Sequence, residues 1–235
     1  MIINYDTNVL HFRKIISKIY KTDDLENLHK LNNNFIKTNI LDYYNDQNQD
    51  FHKKYYQSEY LIEILELYKK LLKDVIINQI YPKEEFIIFQ SKPTFRIHII
   101  NNTCVATNKD LTNDTNEFDM LKRSIHCDND LNHPEEEMNF FLPITDTNEY
   151  NTLWAESEPN KNDFKPFLLN YGEIKMAYLN KCKHGNRVNK SDKIRISLDF
   201  RIIPGSKWKG NIDAGTNTQL LKYKIGEYYD IMYNK

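Results

Sequence analysis

The chain has 235 residues, of which 40% are hydrophobic and 28% are charged, and its formal net charge is −1. This composition is typical of a folded globular protein and excludes a disordered chain, and the length allows a large core without disulfides or structural metal. The balanced charge disfavours a general nucleic-acid binder, which needs a basic face for phosphates. No apolar run reaches the length of a membrane span, and the first residues lack a signal-peptide pattern.

The first 82 residues predict helices. A short helix is expected over residues 24–35. Over residues 58–80 the apolar side chains recur at helical spacing, which predicts a helix with one wide apolar stripe. Ser58 is expected to cap this helix and Pro82 to end it. The stripe requires a partner surface. A helix lying on a membrane is the alternative, but its polar face would be more strongly basic than this one.

Short runs rich in Ile, Phe and Tyr follow Pro82, and no helix of useful length separates them. This pattern favours an antiparallel sheet over a parallel βαβ arrangement. We therefore predict a mostly β fold with N-terminal helices: a double-stranded β-helix (jelly roll, cupin-like) core at 83–205, packed against a helical region at 1–82 and followed by a tail at 206–235, in a single domain. The expected strands are 86–90, 94–100, 137–142, 152–157, 173–178 and 193–203, with a polar loop at 107–122.

The run at 193–203 alternates strictly between apolar and polar residues. Its apolar face is expected to pack against the stripe of the 58–80 helix. Its polar face carries Arg195, Ser197, Asp199 and Arg201, in a chain where arginine is rare. Such a face is ordinary on a surface strand. If it points into a jelly-roll cavity, however, Arg195-x-Ser197 forms a carboxylate receptor with a bidentate guanidinium and a hydroxyl donor.

The segment SIHCDNDLNH at 124–133 contains metal-ligand residue types. His126 and Asp128 lie two residues apart, so on a strand their side chains project to the same side. His184 is well placed in the sequence to supply a third ligand. Two histidines and one carboxylate with open positions are typical of non-haem Fe(II). Asp130 and His133 are alternative ligands from the same segment.

Cys104, Cys127 and Cys182 are odd in number and widely spaced. A disulfide framework is therefore not expected, and the pattern indicates a reducing, cytoplasmic environment. Because the chain has no C-x-x-C pair, we interpret the thiols as inert buried groups, with a thiolate site as the alternative.

The order H-x-D…H…R-x-S resembles the Fe(II)/2-oxoglutarate-dependent oxygenases, whose core is a double-stranded β-helix. Within that superfamily, the chain is similar to the streptomycin-biosynthesis hydroxylase-like (StrG-like) group over about residues 86–205. The similar segments are FRIHIINN (95–102), HCDNDLNHPEEEMNFFLPIT (126–145), NTLWAESEP (151–159) and HGNRVNKSDKIRISLDFRIIP (184–204).

The resemblance implies that His126, Asp128 and His184 bind Fe(II), and that Arg195 binds the distal carboxylate of 2-oxoglutarate with help from Ser197. O₂ is then the second co-substrate. The reaction expected is hydroxylation or another oxidation of a small polar molecule such as a sugar, a nucleotide-sugar or an aminocyclitol. The implied partner is thus a small molecule, with no nucleic acid and no membrane. The tyrosine-rich tail either packs on a second copy of the chain or closes the barrel end.

Further site residues follow from strand faces. Asn139 is expected to donate to 2-oxoglutarate. Arg96 and His98 share a face and are expected to line the substrate cavity, although an arginine in this place is equally an ion-pair partner. Trp154 and Glu156 share another face, where the indole would stack on a sugar ring and the carboxylate would bind hydroxyls. A core position is the alternative for Trp154.

Two other functions are compatible with these patterns. One is a catalytically silent jelly-roll module that binds a carbohydrate or a partner protein. The other is a metal-dependent cupin-type isomerase or epimerase. The complete set of metal ligands argues against the silent module, and a dependence on oxygen separates the oxygenase from the isomerase.

Overall fold

A computed structural model describes residues 1–31, 47–101, 104, 125–216 and 221–234. The loop predicted at 107–122 lies outside these residues, as does the end of the helix predicted at 24–35. Within the described residues, no helix is both long enough and apolar enough to cross a membrane.

The N-terminal region is helical, as predicted. It contains α1 (Phe12–Tyr20), α2 (Gln47–Tyr56) and α3 (Leu61–Leu71). After α3 the chain continues as a π-helical turn (Leu72–Ile77) and a final α-helical turn (Asn78–Ile80), so the long helix predicted over 58–80 is confirmed.

Two details of the helical region differ from the prediction. The Ser58 hydroxyl accepts a hydrogen bond from the backbone N–H of Tyr60 at 3.1 Å, so it closes the turn before α3 and does not cap the helix itself. The described part of the 24–35 segment is a 3₁₀ turn (Leu25–Leu31) and not an α-helix. The backbone at Asn27 leaves helical geometry, with φ −108°, and interrupts the turn.

The described residues form ten strands. They are β1 (Ile2–Asn4), β2 (Phe86–Gln90), β3 (Thr94–His98), β4 (Met138–Pro143), β5 (Leu153–Ala155), β6 (Lys165–Pro166), β7 (Glu173–Ala177), β8 (His184–Asn186), β9 (Arg195–Pro204) and β10 (Tyr229–Tyr233). The strands predicted after Pro82 are confirmed, with shifts of a few residues at their ends. Strands β1, β6 and β8 have too few residues to show an alternating pattern, and β10 lies in the segment that was expected to be a tail.

Strand β9 is central to the larger, seven-stranded sheet. Six of its strands have the order β1-β7-β4-β9-β2-β10, and the seventh, β3, also pairs with β9. On one side β9 pairs with β4. On the other side its first half pairs with β3 and its second half with β2, all antiparallel. Strand β1 closes one edge and β10 the other, so the N-terminal region, the central region and the last residues all contribute to one sheet. The smaller sheet has the order β6-β5-β8.

The two faces of the large sheet have different neighbours. One face packs on the helices: Phe200 on β9 stacks on Phe140 at 5.1 Å between ring centroids and meets the edge of Tyr68 on α3 at 5.0 Å. This contact confirms the predicted cover of the β9 apolar face. The other face meets the small sheet through an apolar cluster of Phe141, Ala155, Phe167, Leu169 and Leu179. A cavity lies beside that cluster.

We expect Phe200→Ala to lower the free energy of unfolding by about 3–5 kcal/mol, because it leaves a void at the contact of the helices with the sheet. Urea denaturation measures the loss. Ile62→Ala, at a side chain that is 70% exposed on α3, is the control and should stay within about 0.5 kcal/mol of wild type. Equal effects for the two variants would contradict this account of the core.

Candidate metal centre

A cavity of about 590 Å³ lies on the inner face of the large sheet. His126, Asp128 and His184 line one part of it, and Arg195, Asp199 and Arg201 from β9 line another. Three of the four polar residues of β9 therefore line a cavity, which decides between the surface face and the cavity wall that the sequence had left open. The site has two parts, a cluster of potential metal ligands and a buried guanidinium.

Backbone pairing brings the two histidines together. His126 forms an isolated antiparallel bridge with His184 of β8, with N–H···O distances of 3.0 and 2.9 Å in the two directions. The imidazole centroids are consequently 4.4 Å apart. Asp128 begins a short 3₁₀ turn directly after this bridge. One potential donor atom from each of the three side chains lies within 4.8 Å of the others.

The two carboxylate oxygens of Asp128 have different surroundings. Oδ1 has no hydrogen-bond donor among the described residues and lies 3.4 Å from Nε2 of His184 and 3.8 Å from Nε2 of His126. Oδ2 accepts hydrogen bonds from Arg201 and Asn139. Burial alone would raise the pKa of Asp128, but the Arg201 guanidinium holds that pKa well below its usual range. The carboxylate is therefore ionised and presents one bare oxygen to the imidazoles.

The His184 ring is oriented by its other nitrogen. Nδ1 lies 3.1 Å from the carbonyl oxygen of Cys182, and a neutral imidazole that donates there keeps its lone pair on Nε2. That lone pair faces Oδ1 of Asp128. Two imidazoles and one bare, buried carboxylate oxygen fit a divalent transition metal, because such an ion neutralises the carboxylate and accepts the lone pairs.

The alternative ligands from the same segment are engaged elsewhere. The Asp130 carboxylate accepts a hydrogen bond from the backbone N–H of Cys127 at 2.9 Å. The His133 Nδ1 contacts Glu137 at 2.9 Å. Burial raises the pKa of the Cys127 and Cys182 thiols, which disfavours the thiolate form that a metal requires.

Arg195 is buried, and it has no carboxylate partner among the described residues. Its side chain is 1% exposed, and its guanidinium lies 5.1 Å from the centroid of the Phe141 ring. Nη2 donates to the sulfur of Cys104 at 3.1 Å, whereas Nε and Nη1 have no hydrogen-bond partner among the described residues. Since a buried unpaired charge is costly, this arrangement calls for an anionic ligand in the cavity.

The two predicted neighbours of Arg195 in co-substrate binding have other contacts. The Ser197 hydroxyl donates to Asp199 at 3.2 Å, and Ser197 is fully buried and does not line the cavity. Asn139 does line the cavity. Its amide nitrogen donates to Asp128 at 2.6 Å and its oxygen accepts from the backbone N–H of Leu179 at 3.1 Å. Asn139 thus orients the candidate metal ligand.

Of the two residues predicted to line the substrate cavity from β3, only Arg96 does so. Its Nε lies 3.5 Å from Asp199, so it is also an ion-pair partner. His98 is fully buried away from the cavity wall, and its Nδ1 contacts the carbonyl oxygen of Asn151 at 2.9 Å.

Trp154 faces away from the cavity. In the small sheet Leu153 pairs with Asn186, and both line the cavity, whereas Trp154 pairs with Gly185 and projects from the opposite face of the sheet. There the Arg187 guanidinium lies 3.6 Å from the centroid of the indole. The predicted sugar-stacking role is therefore not supported. The alternation of side chains along a strand shows which residues share a face, but it does not show which face lies inside.

Glu156 is also absent from the cavity wall. Its side chain is buried, and its two oxygens accept hydrogen bonds from the backbone N–H groups of Asn162 at 2.9 Å and Lys183 at 2.8 Å. Both carboxylate oxygens are therefore committed to joining two loops, which replaces the predicted contact with substrate hydroxyls.

Sequence reasoning gave no role to Arg201. This residue lies on the same face of β9 as Arg195, but its guanidinium contacts Asp128, 2.7 Å from Nη2 to Oδ2. Its occurrence on that face in an arginine-poor chain was the available signal. Its contact with Asp128 could not be predicted from the sequence, because the two residues are 73 positions apart.

No family model matches the sequence. The streptomycin biosynthesis protein StrG of Streptomyces griseus is 25% identical over 228 residues, which cover 97% of this chain and 96% of StrG. The chain is a homologue of StrG. The resemblance to the StrG-like group is thereby confirmed, and the homology to StrG extends beyond residues 86–205 to nearly the whole chain.

Several solved structures show distant similarity. The non-haem monooxygenase ThoJ, in its apo form, matches with a TM-score of 0.45 and 9% identity over 95% of this chain and 81% of ThoJ. In the nickel complex of ThoJ the match covers only 59% of that chain. CytC3 with Fe(II) and α-ketoglutarate matches with a TM-score of 0.43 and 14% identity over 86% of this chain and 71% of CytC3.

We expect Glu156→Ala to lower the free energy of unfolding by about 1–3 kcal/mol, because two backbone N–H groups lose a charged acceptor. The control is Glu158→Ala, whose side chain is 73% exposed and should have little effect. Thermal and urea denaturation compare the two variants. A Glu156→Ala protein as stable as wild type would show that the carboxylate does not hold the loops together.

Proposed function

We propose that this chain is an Fe(II)- and 2-oxoglutarate-dependent oxygenase that oxidises a small polar substrate. The observation that carries the proposal is that one cavity contains both parts of the required site. The cluster of His126, Asp128 and His184 offers donors for a metal, and Arg195 offers unpaired guanidinium donors for an anion.

The donor set suits Fe(II). Two imidazoles and one carboxylate leave open positions on an octahedral ion, and this set with open positions is typical of non-haem Fe(II) oxygenases. When bound, the iron supplies the activation of O₂, which is coupled to the oxidative decarboxylation of 2-oxoglutarate to succinate and CO₂. The residues of the chain bind and orient these groups.

Arg195 receives the distal carboxylate of 2-oxoglutarate in this proposal. A planar guanidinium binds a carboxylate through two parallel hydrogen bonds, which a lysine cannot imitate. The sulfur of Cys104 holds Nη2, and the ring of Phe141 lies beside the guanidinium. Nη1, which has no partner among the described residues, and the second hydrogen of Nη2 are the donors that can bind one carboxylate together, because the Nε hydrogen points away from Nη1. Ser197 contributes indirectly at most, because its hydroxyl is bonded to Asp199.

The sheets enclose the reaction. We interpret the large and small antiparallel sheets as the two halves of a double-stranded β-helix, within one domain that also includes the helices. The Phe141 cluster between the sheets keeps water from the inner end of the cavity. A dry site strengthens the contact of Arg195 with a carboxylate.

The substrate class proposed is a sugar, a nucleotide-sugar or an aminocyclitol, with hydroxylation as the reaction. Two observations support it. The homologue StrG is a streptomycin biosynthesis protein, and the cavity wall offers hydrogen-bonding groups on Gln90, Thr94, Arg96 and Asp199. The side chains of the Arg96–Asp199 ion pair are 34% and 30% exposed, so both partners remain accessible to substrate hydroxyl or amino groups.

The metal ligands are tested by substitution. We expect anaerobic Fe(II) and 2-oxoglutarate to give the wild type a weak visible charge-transfer band. His184→Ala and Asp128→Ala should abolish the band and weaken Fe(II) binding by more than about 100-fold, since a ligand is a larger loss than an outer partner. His11→Ala, at a half-buried histidine outside the cavity, is the matched control.

Wild-type protein also forms succinate slowly if the proposal holds, even without its substrate. Iron binding without any formation of succinate would indicate a catalytically silent binding module. Turnover of a substrate without O₂ would indicate an isomerase or epimerase. Either result would overturn the oxygenase assignment.

Arg195→Met tests the co-substrate site separately. We expect 2-oxoglutarate affinity to fall at least about 10-fold, because charge-assisted hydrogen bonds contribute about 1.5–3 kcal/mol, while Fe(II) affinity is retained. Calorimetric titration of 2-oxoglutarate into the metal-loaded protein measures this. Arg187→Met, at the arginine that stacks on Trp154, is the matched control. An unchanged affinity in Arg195→Met would exclude Arg195 as the carboxylate receptor.

A further inference from the structure

Three donors from two residues converge on one oxygen of Asp128. Arg201 approaches Oδ2 with Nε at 2.9 Å and Nη2 at 2.7 Å, and Asn139 donates to the same oxygen at 2.6 Å. Asn139 on β4 and Arg201 on β9 are direct cross-strand partners. The large sheet therefore holds the two side chains next to each other.

Arg201 is itself held by other buried groups. Its Nε lies 3.3 Å from Oε2 of Glu137, and its Nη1 donates to the Tyr228 hydroxyl at 3.1 Å. Glu137 is fully buried and is held in turn by His133 at 2.9 Å and by the Tyr229 hydroxyl. A guanidinium that is bonded to Asp128 and Tyr228 and lies beside the Glu137 carboxylate cannot turn away from Asp128 without breaking several buried polar contacts.

The other oxygen of Asp128 is left bare. Oδ1 has no hydrogen-bond donor among the described residues, and it is the oxygen that faces Nε2 of His126 and His184. The carboxylate is thus asymmetric, with one oxygen saturated by hydrogen bonds and one directed toward the imidazoles.

This asymmetry matters for metal coordination. A carboxylate binds a metal ion through one oxygen or through both. The second mode occupies an additional coordination position, which is then lost to exogenous ligands. An oxygen that already accepts two hydrogen bonds and lies against a further guanidinium nitrogen has no lone pair suitably placed for a metal.

We propose that Arg201, together with Asn139, restricts Asp128 to a single donor oxygen and so keeps a coordination position open for the co-substrates. This inference rests on the proposed function, because it concerns how the metal cluster admits 2-oxoglutarate and O₂. Arg201 is a positioning residue, which acts on the ligands through Asp128. The C-terminal segment takes part, since Tyr228 and Tyr229 hold the two ends of the Arg201–Glu137 pair.

Two variants separate positioning from simple stabilisation. Arg201→Lys keeps the positive charge but loses the planar fork that saturates Oδ2. The double variant Arg201→Met/Glu137→Gln removes both charges of the Arg201–Glu137 pair, which avoids an unpaired buried Glu137 if the lysine variant fails to fold. Lys70→Met, which removes an exposed ion pair with Asp74, is the control.

The probe is Mn(II) bound to the full chain, with inner-sphere waters counted by water-proton relaxation. We expect each Arg201 variant to bind Mn(II) with one inner-sphere water fewer than wild type, because Asp128 then coordinates through both oxygens. Calorimetry should show 2-oxoglutarate affinity lowered by about 10- to 100-fold in the Mn(II) protein. The control should match wild type in both measurements.

Variants that match wild type in water count and 2-oxoglutarate affinity, and differ only in melting temperature, would overturn the inference and leave Arg201 a structural residue. That result would not affect the proposed function. If wild-type protein binds neither Mn(II) nor 2-oxoglutarate, the proposed function fails, and the inference fails with it.

Discussion

The buried charge of Asp128 is the constraint on which the rest of the site depends. A carboxylate that is 1% exposed must be compensated, because an isolated buried charge costs several kcal/mol. Arg201 and Asn139 compensate one oxygen, and two imidazoles face the other. These partners come from different parts of the chain, so the fold has to be complete before the carboxylate is satisfied.

Strand β9 links that constraint to the hydrophobic core. Its alternation places Phe200 against the helices and its polar residues against the cavity. Arg195 stands at the start of the strand with free donors, and Arg201 stands further along in contact with Asp128. The burial that stabilises one face of β9 therefore also fixes the positions of the anion receptor and the partner of the metal ligand.

The sequence predictions of cavity-lining residues were wrong where they had to say which face of a strand points into the cavity. Trp154 and Glu156 share a face, as predicted, but Trp154 pairs with Gly185 on the outside of the small sheet. His98 and Ser197 share their strand faces with the cavity-lining Arg96 and Arg195, but both are fully buried and absent from the cavity wall. A period of two reports which residues lie together, whereas the side that becomes the interior depends on which sheet packs against it.

The amino-acid sequence by itself determined the local features: the helix that leads to Pro82, most of the strands, the two faces of β9 and the residue types of the His126, Asp128 and His184 cluster. These features depend on short-range periodicity and spacing, which a single sequence displays. Only the tertiary structure decided that β10 joins the large sheet and that Arg201 serves Asp128. Such contacts join residues far apart in the chain, and strand order alone brings them within hydrogen-bond distance.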